Sequence, residues 1–146
     1  MDLLKLEEEL VRDEGEVLYC YQDSLGFWTI GVGQLIDHRN GGGISQAASR
    51  FMLAENIEKI GKALDARIPW WRTLSDARQR VLVNMAYNLG VAGLMGFVNT
   101  LAAVKEGRYE DAAKGIRASK AARQTGGNRN FADTRYGRLA AMMREG

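Results

Sequence analysis

RDEGEVLYCYQDSLGFWTIGVGQL, residues 12–35, decides how the rest of the chain reads. A glycine follows Glu14 directly, and glycine just past a helical run is where a helix stops. VLYCYQ and FWTIGV are short runs rich in aromatic and β-branched residues, joined by DSLG, which is a hairpin signal. Working back, Leu3, Leu6, Leu10 and Val11 recur at helical intervals, so residues 3–14 are expected to form a helix leading into the hairpin. Glu14, Asp23 and Thr29 fall at the junctions of this stretch. They are either an incipient site or the ordinary furniture of a hairpin.

Working forward, NGGG (residues 40–43) is a turn cluster. Ser45 is placed to cap a long helix, SQAASRFMLAENIEKIGKALDARI, with Phe51, Ile57, Ile60 and Leu64 among its buried positions. Pro69, the sole proline, ends or follows it. Ser75 opens DARQRVLVNMAYNLG, which is almost wholly apolar from Val81 to Leu89 and should lie inside a lobe. Further helices are expected around 98–107, 109–118 and 129–144. The order helix, hairpin, long helix, helical cluster describes an α+β, predominantly helical protein with two lobes. A small hairpin lobe covers about 15–44, a connecting helix about 45–67, and a larger helical lobe about 1–14 and 68–146, all within one domain. A cleft between the lobes, spanned by the long helix, is the expected ligand site.

The totals agree with a folded domain. The 146 residues are 46% hydrophobic and 26% charged, enough for one core and too polar for a membrane-spanning chain. The acidic, amphipathic start MDLLKLEEELVRDEG is unlike a signal or transit peptide, so synthesis in a cytoplasm is expected. A single cysteine, Cys20, reads as a small apolar strand residue in a reducing compartment. One histidine, His38, and no cysteine cluster argue against a zinc site or a Ser-His-Asp triad. Residues 1–40 carry nine acids and three bases, a net of −6, and residues 117–146 carry seven bases and two acids, a net of +5. That asymmetry is either ordinary solvated surface or an attraction to an anionic polymer.

The chemistry is clearest around the hairpin. On a helical wheel Glu14 shares the apolar face of Leu3, Leu10 and Val11, and it ends its helix. Burial and the negative end of the macrodipole would both favour its protonated form, as a general acid near neutrality requires. Asp23 reads either as an Asx-turn residue or as a solvated carboxylate that stays ionised. Two carboxyls in different environments are what cleavage of a glycosidic bond needs. Thr29 is either a β-former or a hydroxyl able to hold a water beside Asp23.

The run E-G, D-x-x-G, T-I-G-x-G, with the spacing Glu-x8-Asp-x5-Thr, closely resembles the phage-type lysozymes, the endolysin class of glycoside hydrolases. NMAYNLGVAGLMGFVNTL (84–101), RYEDAAKGIRASK (108–120) and QTGGNRNF (124–131) extend the resemblance over nearly the whole chain. It implies a lysozyme-like fold and cofactor-free, metal-free muramidase activity, inverting, on the β-1,4 bond between N-acetylmuramic acid and N-acetylglucosamine. Glu14 would be the general acid, Asp23 would stabilise charge or activate water, and Thr29 would position that water. Arg129 would pair with Glu14, Leu35, Tyr87 and Thr100 would line the sugar-binding cleft, and Asn88 would support its far wall. The implied partner is peptidoglycan rather than nucleic acid, and the implied route to the wall is a lesion in the host membrane; a monomer is the default expectation. The rival class is a catalytically silent lysozyme-like module that binds the wall or a protein.

This chain departs from the family pattern in four places. Gln34 stands where members often have His, the loop 37–43 is short, Gly115 replaces an asparagine that can touch substrate, and QTGGNR carries one extra residue. Trp70 and Trp71 either form a sugar-stacking platform or cover a helix junction. Met52, Met85, Met95, Met142 and Met143 read as core filler. The segment RNFADTRYGRLAAMMREG is expected to be an amphipathic helix that docks on the main lobe. Its Arg135, Arg138 and Arg144 offer a basic face for an anionic membrane or wall.

Overall fold

Helix α1, Leu3–Glu14, ends at the expected residue: Gly15 takes φ +75°, and its N–H bonds to the Val11 carbonyl at 3.0 Å. The computed structural model describes residues 3–39, 41–126 and 130–146. They divide into two units, 1–53 and 54–146.

In the first unit, β1 (Val17–Gln22), β2 (Trp28–Gly31) and β3 (Gln34–Leu35) form an antiparallel sheet in chain order. The β1–β2 pairing is irregular. Val17 faces Gly31 and Gln22 faces Trp28, so five steps of β1 run beside three of β2. At about 3.3 Å per step, a span of roughly 16 Å is compressed toward 10 Å. Gly31 and Gly33, at φ +65° and +69°, bracket the turn into β3 in a backbone conformation that other residues resist. Helix α2, Gln46–Arg67, begins in this unit with its first turn capped by Ser45, whose Oγ accepts the Ala48 N–H at 3.1 Å.

Little is buried here. Among the described residues of this unit only Thr29, 4% exposed, is fully covered. Phe51, expected inside, is 67% exposed, and Met52, expected as core filler, is exposed as well. A helical wheel identifies a face but not whether anything covers it, and a sheet of three short strands offers little apolar surface to a helix. Cys20 is likewise an exposed free thiol rather than a packed strand residue.

The second unit holds the core. Leu64 of α2 is fully buried and Ile60 packs against the core, whereas Ile57, one turn nearer the start, is exposed. A 3-10 turn, Pro69–Thr73, follows, and in it Trp71 is buried with Nε1 donating to Asp65 Oδ1 at 2.8 Å. Trp70 is half-buried against the same core, so this pair covers a helix junction and does not form an open platform. Arg72 stacks on Trp71 and bonds Asp65, holding that carboxyl below the usual carboxylate range.

Helix α3, Asp76–Met95, buries Val81, Leu82, Met85, Ala86 and Leu94 and is interrupted at Gly90, φ +72°. It is not covered all round: Asn84, Tyr87 and Asn88 are exposed. The short helices α4 (Val98–Lys105) and α5 (Tyr109–Ala118) pack on each other, and α5 also packs on α7 (Arg135–Glu145). Two details differ from the sequence reading. Lys120–Gly126 forms a separate helix, α6, with Ser119 Oγ accepting the Ala122 N–H. The final helix starts later than residue 129, at Arg135, after a 3-10 turn at Phe131–Asp133 and a Thr134 cap on the Gly137 N–H. Met85 and Met143 are buried and Met95 and Met142 half-buried, as core filler should be.

Candidate active site

Glu14 is the last residue of α1, and its carboxylate lies over the β2–β3 turn. A Cβ placed on Gly33 would stand 3.6 Å from Glu14 Oε2. The side chain is exposed, which corrects the expectation of an inward-facing carboxyl, because α1 buries none of its residues. Gly33 therefore matters for its positive φ, since a Cβ there would meet the carboxylate only at ordinary van der Waals distance.

Asp23 closes β1, half-buried. Its Oδ1 accepts the N–H of Leu25 at 2.9 Å and of Phe27 at 2.8 Å, and its carbonyl accepts the Gly26 N–H at 2.9 Å. This is an Asx turn. The turn reading of Asp23 thus holds: the turn occupies Oδ1, while Oδ2 makes no hydrogen bond among the described residues. Thr29 pairs with Tyr21 on one side and Leu35 on the other, and its Oγ1 donates to the Phe27 carbonyl at 3.1 Å. The hydroxyl oxygen keeps its acceptor capacity.

Around them, Gln34 Nε2 donates to the carbonyls of Leu35 at 3.0 Å and Gly43 at 2.9 Å, tying β3 to the loop that follows. Half-buried Leu35 is held in the sheet by that pairing and by the Gly43 N–H on its carbonyl. The amide thus acts as a staple, a role that the residue type alone does not announce.

The remaining candidates belong to the second unit. Tyr87 is exposed on α3. Asn88 is exposed too, and its Oδ1 accepts the hydroxyl of fully buried Tyr136 at 2.9 Å, with burial pushing that phenol up from its ordinary range. Thr100 is buried on α4, beside Gly115 of α5. A Cβ at 115 would come within 2.3 Å of Thr100 Oγ1, so the departure at Gly115 is a packing requirement of this α4–α5 contact. Arg129 lies outside the described residues. The basic residues of α7 are engaged: Arg135 bonds the Asn84 side chain and carbonyl, Arg138 the Asp133 carbonyl, and Arg144 the neighbouring Glu145.

Sequence reasoning missed Phe27 as a residue that holds the site; Gln34 entered only as a departure from the family pattern and Gly33 only as part of T-I-G-x-G. A glycine after a strand was the one visible signal, for Gly33. Phe27 acts through its backbone, which residue type does not reveal.

A helix that ends in a glutamate, followed by a hairpin that carries an Asx-turn aspartate and a buried threonine, together with a helical unit, is the lysozyme-like, predominantly helical α+β fold class. Residues 11–131 match the family described as Phage lysozyme, a span that contains Glu14, Asp23, Thr29, Leu35, Tyr87, Asn88, Thr100 and Arg129. The chain belongs to that family. It is 24% identical to "Probable T4-type lysozyme 1" of Dictyostelium discoideum, over 82% of this chain and 86% of that protein. It is also 28% identical to "Pre-baseplate central spike protein Gp5" of Enterobacteria phage T4, over 85% of this chain but 26% of that much longer protein.

Proposed function

We propose that this chain is a muramidase that cleaves the β-1,4 linkage between N-acetylmuramic acid and N-acetylglucosamine in bacterial peptidoglycan and so lyses the wall as an endolysin. The observation that carries the reading is the arrangement within the first unit: Glu14 over the glycine turn, and Asp23 and Thr29 joined through Phe27. Glu14 protonates the glycosidic oxygen, Asp23 stabilises the developing charge or activates water through Oδ2, and Thr29 holds that water. The inverting outcome is part of this reading, and it requires two carboxyls far enough apart to admit a water between acid and base. The resemblance further assigns sugar contacts to Leu35, Tyr87 and Thr100, a supporting role to Asn88 and that of the acid's partner to Arg129, and in this reading the protein works as a monomer without a cofactor. It is made in a host cytoplasm and reaches the wall through a membrane lesion.

The test is digestion of purified peptidoglycan, with new reducing ends identified by mass spectrometry and the anomer first released by NMR. Muramic acid at the reducing ends, released as the α-anomer, is expected. Glucosamine ends would assign a different bond. No product, with tight sedimentation onto the wall, would make the chain a binding module.

A further inference from the structure

Phe27 is the residue through which Asp23 and Thr29 share a common support. Its N–H donates to Asp23 Oδ1, and its carbonyl accepts both the Asp23 N–H at 2.9 Å and Thr29 Oγ1. Any rotation of the backbone at Phe27 therefore reorients the carboxylate and the hydroxyl together.

The ring of Phe27 is itself held. The guanidinium carbon of Arg39 stands 3.3 Å from its centroid, close cation–π range. Arg39 is in turn fixed by Asp37, whose Oδ1 accepts Arg39 Nε at 2.7 Å and the Arg39 backbone N–H at 3.1 Å. That carboxylate is nearly covered, and the Arg39 guanidinium keeps it below the usual carboxylate range. The Arg39 carbonyl accepts the Gly42 N–H, and Gln34 and Leu35 bind Gly43, so the loop is anchored at both ends. His38 Nδ1, 3.5 Å from Asp37 Oδ1, is a second titratable neighbour of this carboxylate.

We propose that Arg39 is a positioning residue for the hydrolysis: held by Asp37, it clamps Phe27 and thereby sets the orientation of the Asp23 carboxylate and the Thr29 hydroxyl. The proposal rests on the muramidase reading and adds to it a residue that the resemblance does not assign. A cation stacked on a ring in a unit with almost no buried core does little for global stability, since it covers no cluster of apolar side chains. Its reach ends at the two groups that Phe27 holds.

The test compares wild type with Arg39→Met, which keeps the stem but loses the cation and the fork, Arg39→Lys, which keeps the charge without the planar fork, and Asp37→Asn. Kinetics on soluble peptidoglycan fragments should show kcat reduced about fivefold in Arg39→Met, with KM within about twofold, and a partial return in Arg39→Lys. Amide hydrogen exchange at Phe27, read by NMR without substrate, should quicken by about two- to fivefold in Arg39→Met and Asp37→Asn, while exchange in α3 is unchanged. Unchanged kcat and unchanged Phe27 exchange would overturn the proposal. So would a loss of activity that only tracks a lower melting temperature. Should the wild type release no product, the muramidase reading fails by itself, and the Phe27 exchange still decides whether the clamp exists.

Discussion

Residues 54–146 contain all the fully buried apolar side chains among the described residues, from Leu64 to Met143. Residues 1–53 contain ten of the thirteen exposed large hydrophobics, including Leu3, Leu18, Trp28 and Phe51. The two halves are stabilised by different physics. The helical unit rests on apolar burial, worth about 1.5–3 kcal/mol for each fully covered large side chain. The hairpin unit rests on turn geometry, backbone pairing and polar staples such as Gln34 and Asp37. The candidate chemistry lies in the second kind of structure, where a carboxylate can be held by two amides and still present an oxygen.

The largest effect that would sharpen this contrast is in the core. Met85→Ala should cost about 2–5 kcal/mol in urea denaturation, against about 0.5 kcal/mol or less for Phe51→Ala. Equal costs would break the distinction between the units. Next, Gly115→Ala should destabilise by about 1–3 kcal/mol, because its Cβ meets the Thr100 hydroxyl. Adding Thr100→Ala should recover part of that, a non-additive cycle that would not appear if the two helices simply shifted apart. Tyr136→Phe should cost about 0.5–1.5 kcal/mol, since only the bond to Asn88 is lost and exposed Asn88 is resolvated.

The smallest effect is one of pH and belongs to the hairpin unit. The Asp37 carboxyl is held low by Arg39, so its contribution is present above the unfolded value of about 3.9 and fades as pH falls through the lower folded one. Phe27 exchange, corrected for intrinsic rates, should be constant from pH 7 to about 5 and quicken only below about 4. The Asp37→Asn variant should lack that acid dependence, and its persistence there would assign the effect to another group.

Much of the fold was legible because it rests on local chemistry. Gly15 stops α1, Ser45 and Ser75 cap α2 and α3, and the aromatic, β-branched runs mark the strands. The site was partly legible for the same reason, since Asp23 reads as a turn residue and is one. What escaped depends on covering and on contacts across the chain. Periodicity assigned Phe51, Ile57 and Glu14 to an inner face, but a short sheet leaves the first and last exposed. Helix α6 was missed because Ser119 in ASKAAR looks like any loop serine until its oxygen caps Ala122. The Thr100–Gly115 and Phe27–Arg39 contacts join residues whose separation in sequence carries no pattern.

The central claim, that the core-poor hairpin unit carries the chemistry, is tested most directly by Glu14→Gln. Peptidoglycan hydrolysis and urea denaturation should be measured on the same preparation. The account predicts activity reduced by about a hundredfold or more, the range of a lost general acid, with the denaturation midpoint unchanged because the side chain is exposed and covers no core. Hydrolysis within about twofold of wild type would remove Glu14 as the acid and contradict the claim.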